Sequence, residues 1–325
     1  MNVFPINGLA ADGTCNNDQI QLMPGTLSGG HCGSGASLGF DGHKLVGTNG
    51  PSDCHDKGLE GASFQIRSGM AGLPGVTLTI TKVDDFKEEG IKYQGYRIVN
   101  GNGNHTLCDY ETAAQVLTDL GFPGGSGSSC PPEGSSVGSA EPHADMVVAL
   151  PGPVYSQTTG AQTDDGSGFF NLACAGDALA KTAFYQIDET PAITTAALRM
   201  ITARYGGSDQ PFTIRGIPIT VQQDLGTDDR AKLVPEALWD DTGKAMCLAT
   251  PRLLSLPGAP QSLPSCLQPT GCPSGGCTSG SAYTQDLEAQ LGIGSCGSDF
   301  GSGSGVLFQS WTGGDGTSVL SRRSH

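Results

Sequence analysis

A chain of 325 residues with 50 glycines, 20 prolines and 6% aromatic residues has too little bulky apolar material for one large core, so much of it must run as turns and pinned loops. Its 17 basic against 32 acidic residues give a formal charge of −15, without the clustered Lys and Arg that phosphate binding needs; this excludes nucleic acid, and anionic lipid would repel the surface. No run approaches the ~18 apolar residues of a membrane-spanning helix, so no membrane insertion is expected.

The opening "MNVFPINGLAADG" has neither the basic nor the long apolar segment of a signal peptide. Residues 1–60 are rich in Gly, Asn, Asp and Ser and read as a loop-rich, disulfide-tied region. Residues 61–256 read as a β-rich core. Within it, "GVTLTITKV" (Gly75–Val83) alternates as a half-buried strand does, and "IKYQGYRIV" (Ile91–Val99) is its expected partner. In "DYETAAQVLTDLG", Ala113, Val116, Leu117 and Leu120 fall at helical spacing between an Asp109 cap and a Gly121 stop. Residues 122–144 are a low-complexity loop, and "DMVVALPG" begins another strand.

"FNLACAGDALAKTAFYQ" (Phe170–Gln186) predicts a strand running into a short helix. Leu179, Ala180, Ala183 and Phe184 form its buried side, and Asp177 with Lys181 a solvated i,i+4 pair. "TPAITTAALRMITARYGG" predicts a second helix, capped by Thr190, with Pro191 at its first position and its end at Gly206. "FTIRGIPITVQQ" reads as an edge strand because of Pro218, and "VPEALWDDTGKAMCLAT" as a hairpin turning at Asp241, Thr242 and Gly243. Residues 257–325 form a Cys, Gly and Ser-rich extension holding one helix, "SAYTQDLEAQLG", with Tyr283, Leu287 and Leu291 on one face, and a closing strand. The class is therefore α+β and β-rich: small antiparallel sheets, a few short helices and long glycine-rich, disulfide-tied loops.

Eleven cysteines lie mostly in Gly, Ser and Pro-rich surroundings, where a thiol has little core to pack into: Cys15, Cys32, Cys54, Cys108, Cys130, Cys174, Cys247, Cys266, Cys272, Cys277 and Cys296. All are candidates for structural disulfides, which implies an oxidising compartment and a chain exported with its signal removed. The odd count leaves one thiol unpaired or bridged to another chain. Cys272 and Cys277 are separated by four residues, and Cys266 and Cys272 by five, without a second CxxC-like pair or a nearby histidine. No HExxH, HxH or EF-hand spacing occurs, so neither metal nor cofactor is expected.

Four segments, "FNLACAGDALAK", "ARYGG", "GIPITVQQDLG" and "PEALWDDTGKAMCLATPR", resemble in order and spacing the ADYC domain of exported bacterial proteins. "GHKLVGT", "LEGASFQ" and "HTLCDY" resemble the segments that precede it, so the likeness runs roughly from Gly42 to Arg252 and covers all but the last residues of the core at 61–256. The naming tetrapeptide is here Ala203-Arg204-Tyr205-Gly206, lacking its acid and cysteine, and Thr182 stands where the family usually has a second cysteine. The joint loss is what a bridge between the two helices would leave behind. The resemblance implies export and disulfide stabilisation, and no activity.

Candidate sites are thin. G-x-S-x-G occurs at Gly35–Gly39 around Ser37 and at Gly134–Gly138 around Ser136, neither between an apolar strand and a helix as a nucleophile elbow requires. His31-Cys32 and Cys54-His55 are adjacent pairs, best read as disulfide cysteines beside exposed histidines. Asp224 and Glu236, with Trp239 as a sugar platform, are the carboxylates a glycan hydrolase would use. The expected function is a secreted or cell-surface binding or structural module, self-associating or bound to a cell-surface polymer. The alternative is a secreted polymer hydrolase acting through Asp224 and Glu236.

Overall fold

The structure, a computed structural model, describes residues 6–10, 20–68, 75–101, 106–109, 143–155, 161–164, 168–187, 190–207, 211–213, 219–222, 233–255, 258–261, 263, 267–272, 276–297, 300, 305–313 and 318–322. The helix expected between Asp109 and Gly121, most of the loop at 122–144, Ser136, Asp224, Cys15, Cys130 and Cys266 lie outside these residues. The described residues fall into two compact units, divided between Gln186 and Ile187.

The first unit contains β1 (Ile6–Ala10), β2 (Ile20–Leu22), β3 (Leu27–Gly29), β4 (Cys32–Phe40), β5 (Leu45–Thr48), β6 (Ser63–Ser68), β7 (Val76–Glu88), β8 (Ile91–Asn100), β9 (Val147–Pro151), β10 (Val154–Tyr155), β11 (Gln162–Asp164), β12 (Phe169–Cys174) and the short helix α1 (Ala178–Phe184). Ten of these strands form one sheet in the order β1-β12-β9-β8-β7-β6-β3-β4-β5, with β2 also on β6. Its pairings are antiparallel throughout. The expected β7–β8 hairpin is present, pairing Glu88 with Ile91 and Leu78 with Asn100 across a bulge at Ile80/Lys82. Val76, Leu78, Ile80 and Val83 enter the core while the residues between them stay at or near the surface, as a half-buried strand demands. Residues 1–60, read as loops, supply five strands to this sheet as well as a disulfide.

β12 differs in kind, since every residue from Phe170 to Cys174 is buried. A polar residue is tolerated there only when satisfied. Asn171 is: its Nδ2 donates to the Pro151 and Pro153 carbonyls at 3.3 and 3.0 Å. In α1, Leu179, Ala180 and Phe184 face inward as expected, Ala183 is only half-buried, and Lys181, expected on the solvated side, is buried too. A seven-residue helix following a fully buried strand leaves little of its circumference exposed.

The second unit comprises α2 (Pro191–Ile201), β13 (Ile219–Gln222), β14 (Leu233–Trp239), β15 (Ala245–Leu248), α3 (Gly280–Leu291), β16 (Gly294–Ser295), β17 (Phe308–Gly313) and β18 (Ser318–Arg322). Its sheet runs β13-β18-β17-β14-β15-β16, with β13 at the edge, as Pro218 suggested, and parallel pairs at both ends. α2 starts where expected: Thr190 Oγ1 accepts from the Ile193 N–H at 3.3 Å and Pro191 follows. The β14–β15 turn is fastened by Asp240, whose Oδ1 accepts from the Thr242 and Lys244 N–H groups at 2.9 Å each. Gly243 (φ +74°) brings this turn against α2, where a Cβ would stand 2.6 Å from the Ala196 Cα. In α3, Tyr283 and Leu287 are buried, Ser279 caps the start and Gly292 the end.

Candidate functional site

α2 ends earlier than expected. Ala203, not Gly206, takes the left-handed conformation, at φ +50°. Its N–H donates to the Met200 carbonyl at 3.0 Å and that of Arg204 to Arg199 at 2.8 Å, the paired bonds of a Schellman stop. This turn delivers Tyr205 into the interior, fully buried and stacked between Trp239 and Phe212, with ring centroids 5.4 and 6.0 Å away.

Glu236 reaches the same place from β14. Pairing with β17 passes from Pro235↔Trp311 directly to Ala237↔Ser310, so Glu236 is the extra residue of a bulge, a device that re-aims a side chain. Its carboxylate accepts from the Tyr205 hydroxyl at 2.8 Å and from Arg252 Nε and Nη2 at 3.2 and 3.3 Å. Glu236 and Arg252 are both wholly shielded from solvent. The guanidinium also donates to the Ile201 and Met200 carbonyls at 2.6 and 3.1 Å. It thereby places a cation on the C-terminal carbonyls of α2, where the helix dipole favours one. The Arg252 N–H donates to the Tyr205 hydroxyl at 3.0 Å, closing the network. Burial, then the Glu236 charge, pushes the Tyr205 phenol well above its ordinary pKa, so it stays a proton donor.

Chemically this cluster is a satisfied buried ion pair. Trp239, expected as a sugar platform, is buried with its Nε1 donating to Ser310 Oγ at 2.9 Å. No spacing rule announces that Glu236 and Arg252 pair. The available signal was a charged residue beside the apolar run "ALW" of a strand, since a buried charge demands a partner.

In the first unit, Asp56 sits at φ +50° and collects Lys44 Nζ at 2.7 Å, Gln94 Nε2 at 3.0 Å and His55 Nδ1 at 2.7 Å. The hydrogen bonds from Lys44 and then Gln94 hold its carboxyl far below the ordinary range. The Tyr96 hydroxyl donates to Gln94 Oε1 and accepts from the Leu45 N–H, both at 2.7 Å. This cluster joins β5, β8 and the turn after Cys54. Ser37 lies within β4, 6% exposed, with its Oγ accepting from the Gly25 N–H at 2.8 Å; β5 follows it rather than a helix, so no elbow forms.

Eight of the eleven cysteines pair among the described residues: Cys32–Cys54, Cys108–Cys174, Cys247–Cys296 and Cys272–Cys277. His31 and His55 thus flank a bridge, with His31 Nδ1 3.1 Å from Asp53. Cys108–Cys174 ties β12 to the turn after β8, and Cys247–Cys296 ties β15 to the residue after β16. Thr182 is fully buried and donates to the Leu179 carbonyl at 2.7 Å, so a satisfied hydroxyl fills that position.

These features define a disulfide-stabilised, sheet-rich α+β protein whose signature residues build its interior. The ADYC domain family matches residues 59–254, more than half of the chain, and the chain belongs to that family. No curated protein and no solved structure matches it. The matched span holds Tyr205, Glu236, Trp239 and Arg252 together, so its motifs carry packing and charge pairing.

Proposed function

We propose that the chain is an extracellular or cell-surface binding or structural module that self-associates or docks on a cell-surface polymer. The disulfide framework carries this reading. Such bridges persist in oxidising compartments and are rare where thiols are kept reduced. The acidic balance suits a soluble exported chain, and among the described residues no helix is long and apolar enough to cross a membrane. In this reading residues 61–256 are the core shared with the family, 1–60 a disulfide-tied N-terminal region whose segment from Gly42 also resembles it, and 257–325 an extension individual to this chain. The test is to block thiols in intact producing cells, fractionate them, and map alkylated cysteines by mass spectrometry. Isolated envelope polymer is then sedimented with the purified protein. Oxidised cysteines in the external fraction with co-sedimentation or a higher oligomer are expected; uniformly alkylated cysteines in the cytosol would sink the proposal.

A further inference from the structure

Outside the family-matched residues, one group of ligating side chains gathers. Asp286 of α3 places Oδ2 3.7 Å from Cys272 Sγ and 3.8 Å from Cys277 Sγ. It is the single cluster of its kind among the described residues, with all three ligand atoms within 4.8 Å of one another. Cys272 and Cys277 are bridged, and with a sequence separation of 5 the bond closes a very short loop.

The carboxylate is the informative part. Disulfide sulfurs carry lone pairs and no proton, so neither can donate to Asp286. A carboxylate aimed at both sulfurs gains a favourable partner there when the sulfurs bear protons or when a cation lies between the three groups. The loop is shaped to admit it: a Cβ on Gly271 would stand 2.8 Å from the Asp286 Cγ and Oδ1. Around it, the Thr270 N–H donates to Gln290 Oε1 of α3 at 2.8 Å, and the Cys277 N–H to Gln268 Oε1 at 3.3 Å. Cys277 is buried, whereas Cys272 and Asp286 are half-exposed, so one side of the cluster opens to solvent.

We propose that the Cys272–Cys277 bridge is the closed state of a redox-controlled metal site. Two equivalents of a thiol reductant open it, yielding the protein dithiol and the reductant's own disulfide. A thiophilic divalent cation of the Zn2+ class then displaces the two thiol protons and binds both sulfurs and Asp286 Oδ2, with water in the fourth position. Two thiolates, a carboxylate and an open place suit tetrahedral zinc, whose bond lengths put S and O ligands about 3.6 Å apart. The observed separations of 3.7 and 3.8 Å lie close to that. The sequence spacing missed the site because its third ligand comes from a helix beyond the loop.

The full chain is exposed to limiting reductant and alkylated to map which bridge opens, then titrated with Co2+ as a spectroscopic probe and with competing Zn2+. Expected is first opening at Cys272–Cys277, with a single Co2+ giving a thiolate-to-cobalt charge-transfer band that Zn2+ abolishes. Asp286→Asn should weaken Co2+ binding about tenfold or more, and Cys272→Ser/Cys277→Ser should remove the band. Three results would each overturn the proposal: another bridge opening first while this one stays closed, no Co2+ uptake by the reduced chain, or a band surviving in the double-serine variant. Near-UV circular dichroism of every variant shows that the fold is retained.

Discussion

The carboxylate of Glu236 and the guanidinium of Arg252, 16 residues apart in the chain, meet wholly shielded from solvent, and the Tyr205 hydroxyl links that carboxylate to the Arg252 backbone N–H. Leaving one partner alone strands a buried charge. Glu236→Gln should therefore destabilise the protein by roughly 3–5 kcal/mol. The double replacement Glu236→Gln/Arg252→Met should cost clearly less than the two single changes added together. Denaturant unfolding of the four proteins reads both quantities. Simple additivity would show that the pair is not coupled.

Gly243 is required twice, by its positive φ and by the backbone of α2 against it. Gly243→Ala should cost roughly 2–4 kcal/mol, the left-handed penalty plus the overpacking. Gly90, at φ +81° and with open space where a Cβ would stand, is the control. Its alanine variant should lose about 1 kcal/mol. Equal losses at the two sites in thermal or denaturant melts would mean that contact with α2 contributes nothing.

Acid should act on Asp56. Hydrogen bonds, first from Lys44 and then from Gln94, lower its folded pKa, so the unfolded chain binds this proton at a higher pH than the native one does. The stabilisation is then complete above the ordinary Asp value of about 3.9 and is lost as pH falls from there through the lowered folded value. Asp56→Asn should be less stable than the parent at neutral pH, with the gap closing towards about pH 2. A gap that stays constant across unfolding curves at these pH values would assign the effect to shape, not charge.

The bridges should differ in weight. Cys108–Cys174 closes a loop with a sequence separation of 66 and Cys272–Cys277 one of 5. By loop entropy, removing the first as a double alanine variant should cost about 4 kcal/mol and removing the second about 2. Comparison of their denaturation midpoints checks the order.

How much of this was legible depended on side-chain size and on sequence distance. β7 could be read because Val76, Leu78 and Ile80 alternate with threonines, and α2 because Thr190 and Pro191 mark its start. β4 is "CGSGASLGF", whose inward residues are as small as Ala36, so alternation leaves no hydrophobic trace and the segment reads as a loop. The end of α2 falls before the expected glycine because Ala203 adopts the conformation usually left to that residue. Glu236 was visible as an acid in a hairpin, but its partner lies beyond the turn and β15, and its aim depends on a bulge. The placement of Asp286 beside two cysteines depends on the fold of a loop onto α3, which no local pattern encodes.

The sheets do not respect the limits of the family likeness. Within residues 59–254, β6 leans on β2 and β3, β12 on β1, β13 on β18, β14 on β17 and β15 on β16, and each of those neighbours lies outside that span. Cys247 likewise has its sulfur partner at Cys296. A chain trimmed to the recognisable stretch would bare five rows of backbone donors and acceptors and, among the described residues, one reactive thiol, the conditions under which strands pair between molecules. What marks kinship in this protein is narrower than what folds.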